Sequence, residues 1–336
     1  MEALKKNIAQ ITINGKNVTE DVTPYLSRLG YTDKEEAESD DVTLTFEDTA
    51  GHWQNDWYPQ QGDTLAVTIG TPGAPLDCGI FEIDEIELEI APDTVTIKGI
   101  GAAISKALRT RNSKAFEKQS LKQIAQYFAT KHGLKLTGNV GELQKIQIER
   151  KTQDRQTDLS FLAGLAKEYG ILFSVRGDQL VFMDIDELEK KPAILTFHKN
   201  EISKARFTDK TSQVYGAAVV SSRNMKSNKV RRWKITPSGE DGGKGTLTND
   251  TWQGNVTAEN DTQAQAKAKG GLKNKNKDKI TGTITVEGNV KLVAGVNIEL
   301  ADIGQFSGKW HVVSSSHNID NSGGYVTDAS IRKILK

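Results

Sequence analysis

The chain has 336 residues, of which 36% are hydrophobic and 26% are charged, and its 44 basic and 44 acidic residues cancel to a net charge of zero. A neutral chain has no overall field that would collect nucleic acid or repel it. Its single cysteine, Cys78, excludes a disulfide within the chain, so the fold does not depend on an oxidising compartment.

The length predicts two or three domains, because single cores stop growing near roughly 250–300 residues. No stretch of the sequence approaches the roughly 18 apolar residues of a membrane span. The N-terminal segment has no apolar stretch of signal-peptide length. We therefore expect synthesis in the cytoplasm and no membrane anchor.

The first predicted element is a hairpin in residues 7–30, with Asn14-Gly15 as its turn. Residues 31–41 are acidic and rich in turn formers, which predicts a solvated loop, and a strand follows with Val42, Leu44 and Phe46 alternating.

Residues 49–61 place Trp53, Trp57 and Tyr58 among polar side chains. Flat amphipathic rings stack on sugars, so one interpretation is a carbohydrate-binding patch. The interpretation we favour is a segment that covers one end of a barrel or contacts a partner protein.

Residues 113–200 predict a compact α/β unit. Ser120 and Gln123 form a capping box at the start of one helix, which ends at Gly133, and a second helix begins near Thr157. A hairpin follows in residues 171–183. Strands then return in 201–236, residues 237–256 predict a mobile loop, and Ala residues at helical spacing in 258–279 predict a polar helix that Gly270-Gly271 weakens or interrupts.

One pattern occurs twice, in residues 62–100 and 295–334. Each copy has a Gly-led alternating strand, a second Gly-led strand with an aromatic residue, and a third strand after a turn. The matched positions are Gly62 with Gly295, Leu65 with Ile298, Val67 with Leu300, Gly79 with Gly308, Phe81 with Trp310, and Ile83 with Val312. The pattern predicts a duplicated β-module with other elements inserted between its copies.

No catalytic, cofactor-binding or metal-binding residues are predicted. The five histidines are isolated from further ligands at the usual spacing, and each is interpreted as structural. The segment GGKGT at 242–246 lacks the phosphate-loop spacing, and the GxSxG and HExxH motifs are absent from the sequence. The carboxylates of residues 82–93 are interpreted as a solvated strand face.

The C-terminal stretch SGKWHVVSSSHNIDNSGGYVTDASIRK resembles the closing segment of phage late control gene D proteins, the baseplate hubs of contractile tails. The residues that carry this likeness are Gly308, Trp310, His317, Gly323, Gly324 and Tyr325. The block TDLSFLAGLAKEYGILFSVRGDQLVFMD is similar to the same family and to the N-terminal half of the type VI secretion spike protein VgrG. The resemblance extends from residue 7 to residue 335.

The resemblance implies a mainly β fold with an inserted α/β unit and two tail-tube-like β-barrel domains. We expect the first barrel in residues 1–110, the insertion in 111–200, and the second barrel with its polar helix in 201–336. It also implies a homotrimeric, non-enzymatic ring of six barrels that joins a sixfold tail tube to a threefold spike.

The expected partners are a tail tube protein, a central spike protein and other baseplate proteins, with tape measure protein or DNA passing through the channel. Because the sequence stops at Lys336, we expect the spike to be a separate protein and the chain to reside in an assembled tail or tail-like particle. The segments 31–41, 49–61 and 237–256 are candidate contact regions. Two alternatives remain, a cell-wall hydrolase and a carbohydrate-binding tail component.

Overall fold

The computed structural model describes residues 7–36, 39–71, 73–101, 108, 110–210, 214–223, 230–235, 250–255 and 261–335. The strands are β1 (Ile8–Ile13), β2 (Lys16–Asn17), β3 (Leu26–Lys34), β4 (Asp41–Glu47), β5 (Thr64–Thr71), β6 (Ala74–Glu89), β7 (Thr94–Gly101), β8 (Arg111–Ser120), β9 (Lys135–Gly138), β10 (Gln147–Thr157), β11 (Ile171–Arg176), β12 (Gln179–Asp184), β13 (Leu195–His198), β14 (Ile202–Asp209), β15 (Ala217–Arg223), β16 (Val230–Ile235), β17 (Thr251–Asn255), β18 (Ile280–Glu287), β19 (Asn297–Ala301), β20 (Gly308–Asp320) and β21 (Gly324–Lys333). The helices are α1 (Thr19–Val22), α2 (Leu121–His132), α3 (Val140–Lys145), α4 (Asp158–Glu168), α5 (Ile185–Lys190) and α6 (Asp261–Asn276).

The chain falls into two compact units. Unit 1 comprises Met1–Ser105, Ala193–Arg206 and Thr283–Ile331, and unit 2 comprises Lys106–Pro192, Phe207–Gly282 and Arg332–Lys336. The expected mainly β fold with an α/β insertion is confirmed, whereas closure of the sheets into barrels stays a prediction. The units do not coincide with the predicted ranges 1–110, 111–200 and 201–336, which also stay a prediction. The difference arises because α6 and strands β15–β17 group with the α/β insertion.

Most strands of unit 1 belong to one large sheet. The described residues form a 13-stranded sheet in the order β14-β18-β21-β20-β3-β4-β7-β6-β5-β1-β2, with β19 pairing β20 and β13 pairing β19 at the side. Period-two alternation buries one face of several of these strands, as in β5, where Leu65, Val67 and Ile69 are buried. The predicted first hairpin is confirmed for β1, the two-residue strand β2 and the turn between them, in which Asn14 and Gly15 have positive φ angles of 49° and 77°. The expected return strand beyond β2 is wrong, because Thr19–Val22 forms helix α1.

The first helix of unit 2 forms where the local signals predict it. The Ser120 side chain accepts from the backbone of Gln123 and the Gln123 side chain accepts from the backbone of Ser120, which completes the capping box of α2. Gly133 closes this helix in the left-handed region at φ 67°. The predicted apolar stripe is buried along its whole length, namely Leu121, Ile124, Ala125, Phe128 and Ala129.

Helix α4 begins after Thr157, whose side chain accepts the backbone N–H of Ser160. The predicted hairpin follows as β11 and β12, which pair antiparallel, and β9 adds to β12 in parallel. The remaining strands of unit 2 pair as β8 with β10, and as β15 between β16 and β17.

Helix α6 runs without interruption through Gly270 and Gly271, so the expected break is wrong. Both glycines permit close approach. A Cβ on Gly270 would lie 2.5 Å from the carbonyl carbon of Tyr169, and a Cβ on Gly271 would lie 2.2 Å from the Trp252 ring. Glycine lowers the stability of a helix, but these two glycines let other elements pack directly onto the helix backbone.

Two predicted loops need correction. Of the predicted mobile loop 237–256, residues 237–249 and 256 lie outside the described residues, while Thr251–Asn255 forms β17. The predicted solvated loop 31–41 is largely wrong, because Tyr31, Asp33 and Glu35 are buried and the first two lie in β3. The carboxylates find buried partners, which composition alone does not reveal.

Candidate assembly surface

The two copies of the sequence pattern share one hydrogen-bond frame. The N–H of Gly62 donates to the Ile83 carbonyl at 2.9 Å, and the N–H of Gly295 donates to the Val312 carbonyl at 2.9 Å. The return bonds, from Ile83 and Val312 to the carbonyl of the residue after each glycine, are also both 2.9 Å. The two glycines have matching φ angles of 92° and 85°. The copies therefore have the same local backbone.

Cross-strand pairs agree with the same alignment. In the N-terminal copy Leu65 lies opposite Phe81, and in the C-terminal copy Ile298 lies opposite Trp310. All four of these side chains are buried, at 1% exposure or less. The structure thus confirms the matched positions that the sequence predicts.

The equivalence extends to strand order. We call the strands β1 and β3–β7 the N-terminal module, and the strands β13, β14 and β18–β21 the C-terminal module. The N-terminal module has the order β3-β4-β7-β6-β5-β1, and the C-terminal module has the order β14-β18-β21-β20-β19-β13. One strand departs from the match, because β1 is antiparallel to β5 whereas β13 is parallel to β19.

A further repeat, missed by our sequence reasoning, links β3 with β14. Residues 26–34 read LSRLGYTDK and residues 202–210 read ISKARFTDK, with four of nine positions identical. The Ser27 hydroxyl donates to the Thr45 carbonyl at 3.0 Å, and the Ser203 hydroxyl donates to the Thr285 carbonyl at 2.9 Å. The signal is present in the sequence, but it lies outside residues 62–100 and 295–334, the two ranges of the predicted duplication.

The two modules differ in what lies beside their longest strands. The far half of β20 pairs antiparallel with β3, from Ser314 opposite Lys34 to Asp320 opposite Arg28. This pairing joins the C-terminal module to the N-terminal module. The far half of β6 pairs with β7 on one side, and no strand of the described residues pairs with its other edge. Within the same described part of the chain, β14 has β18 on one side and no strand on the other.

Side-chain exposure follows this difference. On β20, His317 and Ile319 are fully buried at 0% exposure. The equivalent positions are Leu88 on β6 and Ile90, the residue after β6, which are 47% and 77% exposed. An uncovered strand edge beside exposed apolar side chains is a surface suited to strand addition. We call the β6 edge at residues 84–89, with the adjoining Ile90, and the outer edge of β14 the two open edges.

Several residues of the family-like segment have structural positions. Gly308 has a φ of 117° and Gly324 a φ of 77°, both in the region that favours glycine. The Trp310 indole is buried and donates from Nε1 to the Phe306 carbonyl at 2.9 Å. Gly288 receives the Tyr325 ring directly, since a Cβ there would lie 2.0 Å from the ring. These contacts support packing roles for the segment.

His317 is a buried neutral imidazole on β20, where this strand pairs with β3. Its Nδ1 lies 2.8 Å from the Tyr325 hydroxyl, and its ring stacks on Tyr31 at 5.8 Å. Burial lowers the pKa of His317 to about 4, and burial raises the pKa of the Tyr325 hydroxyl. At neutral pH the bond therefore joins a neutral imidazole and a neutral phenol.

Two acidic residues of the segment 31–41, Asp33 and Glu35, contact residues of the C-terminal module. The Asp33 carboxylate accepts the backbone N–H of Ala294 at 2.8 Å. Glu35 contacts the Nε2 atom of His311, whose Nδ1 lies 2.7 Å from the Asn297 side chain. Buried charges are stable when they are paired and hydrogen-bonded in this way.

The aromatic segment 49–61 splits into buried and exposed parts. Trp53 is 1% exposed and stacks on Phe46 with ring centroids 4.1 Å apart, so its side chain packs the core instead of facing a partner. Trp57 is half-buried against Tyr25, while Tyr58 is 56% exposed. A partner contact through Tyr58 and the edge of Trp57 stays a prediction.

Unit 2 contains a polar cleft around Glu168. Burial raises the pKa of this carboxyl, but Lys267 and Lys151 outweigh burial and hold the pKa below its usual value. The cleft is lined by Ile148, Arg150, Lys151, Thr152, Leu165, Glu168, Tyr169, Gln263 and Lys267. Its one carboxylate is ionised and paired, which differs from the two carboxylates of unequal pKa used in acid–base hydrolysis.

Within the described residues no group of three or more His, Cys, Asp or Glu side chains is placed to hold a metal ion. No helix among them is long and apolar enough to cross a membrane.

The structure defines a mainly β protein with two uncovered strand edges among its described residues, and comparison with known proteins specifies the family. The family model for the phage tail baseplate hub (GPD) matches residues 90–323. The chain belongs to this family.

Individual relatives agree. A probable baseplate hub protein of Escherichia phage 186 is 27% identical over 67% of this chain and 58% of its own length. A probable baseplate hub protein of Escherichia phage P2 is 29% identical over 52% of this chain and 44% of its own length. The chain thus spans about half the length of these curated relatives. A 43 kDa tail protein of prophage MuSo2 from Shewanella oneidensis shares the fold, with a TM-score of 0.71, 18% identity and 97% of both chains covered.

Proposed function

We propose that the protein is a structural baseplate hub that forms a trimeric ring of six similar β-modules. The ring would join a sixfold tail tube to a threefold central spike and leave a channel for tape measure protein or DNA. In this role the protein performs no chemistry. It works as a geometric adaptor within the tail of a phage or of a phage-tail-like particle.

The observation that carries the proposal is the shared hydrogen-bond frame of the two modules. Two equivalent modules in one chain let three chains present six equivalent surfaces. A closed ring of such chains has threefold symmetry by chain and approximate sixfold symmetry by module. A chain with this property fits between two assemblies whose symmetries differ by a factor of two.

The proposed partners follow from the same geometry. A tail tube protein would contact the face of the ring on which the six modules are equivalent. A spike protein would contact the face on which the two modules of a chain differ and the symmetry is threefold. Tyr58 and the exposed edge of Trp57 are proposed contacts with one of these proteins or with another baseplate protein. The carbohydrate-binding alternative is weakened because Trp53, one of its three rings, is buried.

The proposal is tested by the mass of the purified protein in solution, measured by light scattering across a dilution series with and without spike and tube proteins. The expected result is a stable trimer, or a trimer that forms when spike protein is added. A chain that remains monomeric in the presence of both partners would overturn the proposal. Saccharide binding by that monomer, lost in Trp57→Ala, would instead favour the carbohydrate-binding alternative.

A further inference from the structure

We infer that the open edge of β6 pairs with the open edge of β14 from a second copy of this chain, in the register that β20 and β3 use within one chain. This inference rests on the proposed ring and specifies its intermolecular seam. The partner of each open edge is therefore a second copy of this chain, because β6 of one copy pairs with β14 of its neighbour.

The template for the seam is present in the structure. Within the chain, β20 of the C-terminal module pairs with β3 of the N-terminal module. The equivalent of β20 is β6, and the equivalent of β3 is β14, as the matched Trp310 and Phe81 and the LSRLGYTDK and ISKARFTDK repeats show. If neighbouring modules in the ring all meet through the same kind of junction, β6 must pair with β14. Because the β14 of the same chain belongs to the module already joined through β20 and β3, the β14 that pairs with β6 comes from another copy.

Transfer of the register predicts the facing residues. His317 lies opposite Tyr31 in the chain, so Leu88 would lie opposite Phe207. Asn318 lies opposite Gly30, so Glu89 would lie opposite Arg206. The two remaining pairs used below, obtained in the same way, are Glu85 with Lys210 and Ile90 with Ala205.

Charge supports this register. The far half of β6 carries Asp84, Glu85, Glu87 and Glu89, while the β14 segment carries Lys204, Arg206 and Lys210. In the transferred register Glu85 faces Lys210 and Glu89 faces Arg206 on one side of the sheet, and opposite charges across antiparallel strands are favourable. Lys98 on β7 already lies 3.2 Å from Glu85 and 3.4 Å from Glu87, which leaves Glu89 as the strongest candidate for a pair across the seam.

Apolar exposure supports it on the other side of the sheet. Leu88 and Ile90 are 47% and 77% exposed. Along β14, Ala205 is exposed and Phe207 is half-buried, while their equivalents on β3, Leu29 and Tyr31, are buried in the strand that pairs with β20. Pairing the two open edges would bury on both strands the positions that the template buries.

A polar contact of the template also has its counterpart. Asp33 accepts the N–H of Ala294, the residue before Gly295. The equivalents are the exposed Asp209 and Gln61, the residue before Gly62. We expect the Asp209 carboxylate of one copy to accept the Gln61 N–H of its neighbour.

The seam uses two different edges, so it is a head-to-tail contact that either closes into a ring or grows into a filament. Each copy contributes one internal β20–β3 junction and one external β6–β14 junction. Three copies then give six junctions of one kind, which is the module number of the proposed ring.

Disulfide trapping tests the seam. We would combine Glu89→Cys with Arg206→Cys in the full chain and oxidise the protein under the conditions in which it assembles. Directly opposite residues of antiparallel strands have Cα atoms about 4.5–5.5 Å apart, within the range that a disulfide spans. Cys78 stays in place, because it is buried and burial raises the pKa of its thiol, and the thiolate is the reactive form.

The expected product under denaturing, non-reducing conditions is a covalent ladder that ends at the trimer. The matched control combines Glu89→Cys with Lys204→Cys, two residues away on the same face, where the Cα distance of about 7–8 Å prevents a disulfide. Each single variant should give no ladder. Charge reversal provides a test without cysteines, in which Glu89→Arg weakens trimer formation about tenfold and added Arg206→Glu restores it.

The outcomes separate the seam from the proposed ring. A trimer by light scattering with no ladder in the matched pair, or with an equal ladder in the shifted pair, would overturn the seam and leave the ring. A ladder that continues beyond the trimer would show an open filament and contradict closure. A protein that stays monomeric with spike and tube proteins would overturn both.

Discussion

The N-terminal and C-terminal modules have the same backbone hydrogen-bond frame, but their equivalent strands β6 and β20 differ in whether a further strand pairs with the edge of the far half. The far half of β20 is covered by β3, and its inward side chains His317 and Ile319 are fully buried. The far half of β6 has no such cover within the described residues, and Leu88 and Ile90 are exposed. The same frame therefore has a paired strand edge in the C-terminal module and an unpaired strand edge, within the described residues, in the N-terminal module.

This difference indicates how a duplicated chain can specify its own assembly. The junction of β20 with β3 forms within the chain, and in the proposed ring the equivalent junction of β6 with β14 forms between chains. The internal copy fixes the register by hydrogen bonds and by burial, as in the contact of Asp33 with Ala294 at 2.8 Å. The external copy then requires complementary edges, and β6 and β14 are oppositely charged.

The largest effect should come from the aromatic residues at the centre of each module. Trp310→Ala and Phe81→Ala should each lower the free energy of unfolding by about 3–5 kcal/mol, because both side chains are buried and their removal leaves a cavity. Denaturant unfolding of each variant measures the loss. Tyr58→Ala is the control, with a change below about 0.5 kcal/mol at an exposed position. A small loss at one centre and a large loss at the other would break the equivalence of the modules.

The second effect depends on pH and belongs to the C-terminal module. His317 has a folded pKa of about 4, below the ordinary value of 6.5, so the unfolded chain binds a proton more readily than the folded chain between these values. Stability is therefore retained above pH 6.5 and falls as the pH falls toward 4, by about 3 kcal/mol in total.

Unfolding midpoints between pH 7 and pH 4 check this contribution. His317→Gln keeps a hydrogen-bond acceptor and removes the titration, so this part of the pH dependence should disappear in the variant. The N-terminal module has Leu88 at the equivalent position and should add nothing of the kind. An unchanged pH profile in His317→Gln would contradict the buried neutral imidazole.

A third effect tests the glycines that begin each frame. Gly62→Ala and Gly295→Ala should cost about 1–2 kcal/mol each, because both residues have positive φ angles that an L side chain adopts only with strain. Thermal unfolding of the two variants should give similar shifts. Gly141→Ala in helix α3 is the matched control, since its Cβ would meet nothing within 4 Å and alanine favours a helix.

The smallest effect compares two equivalent hydroxyls. Ser27→Ala removes a partly buried hydrogen bond to the Thr45 carbonyl and should cost about 1 kcal/mol. Ser203→Ala removes the exposed equivalent to the Thr285 carbonyl and should cost less in the monomer, where water competes. In the assembled ring the two costs should converge, which denaturant unfolding at low and high protein concentration would reveal.

Local signals made the helices predictable. The capping box at Ser120 and Gln123 and the terminal Gly133 lie within one helix length, and the structure has them as predicted. The segment 31–41 could not be predicted in the same way, because the partner of Asp33 is 261 residues away at Ala294. Its acidic composition is typical of a solvated loop, whereas the fold supplies buried donors.

The candidate surface was predictable in part. The matched positions from Gly62 to Ile83 and from Gly295 to Val312 were visible in the sequence, because period-two alternation and leading glycines mark them. The open edges were not visible, since exposure of Leu88 depends on whether another strand lies beside β6. The likeness of residues 26–34 to 202–210 was available and would have linked the two modules earlier.

We propose that two equivalent modules in each chain let three copies form a ring with six equivalent positions. An electron cryomicroscopy reconstruction of the assembled protein, calculated without imposed symmetry, tests it most directly. We expect a ring of three chains with six similar β-modules and a continuous strand pairing from β6 of one copy to β14 of the next. A ring built from six chains, or a ring whose β6 and β14 edges remain apart, would contradict it.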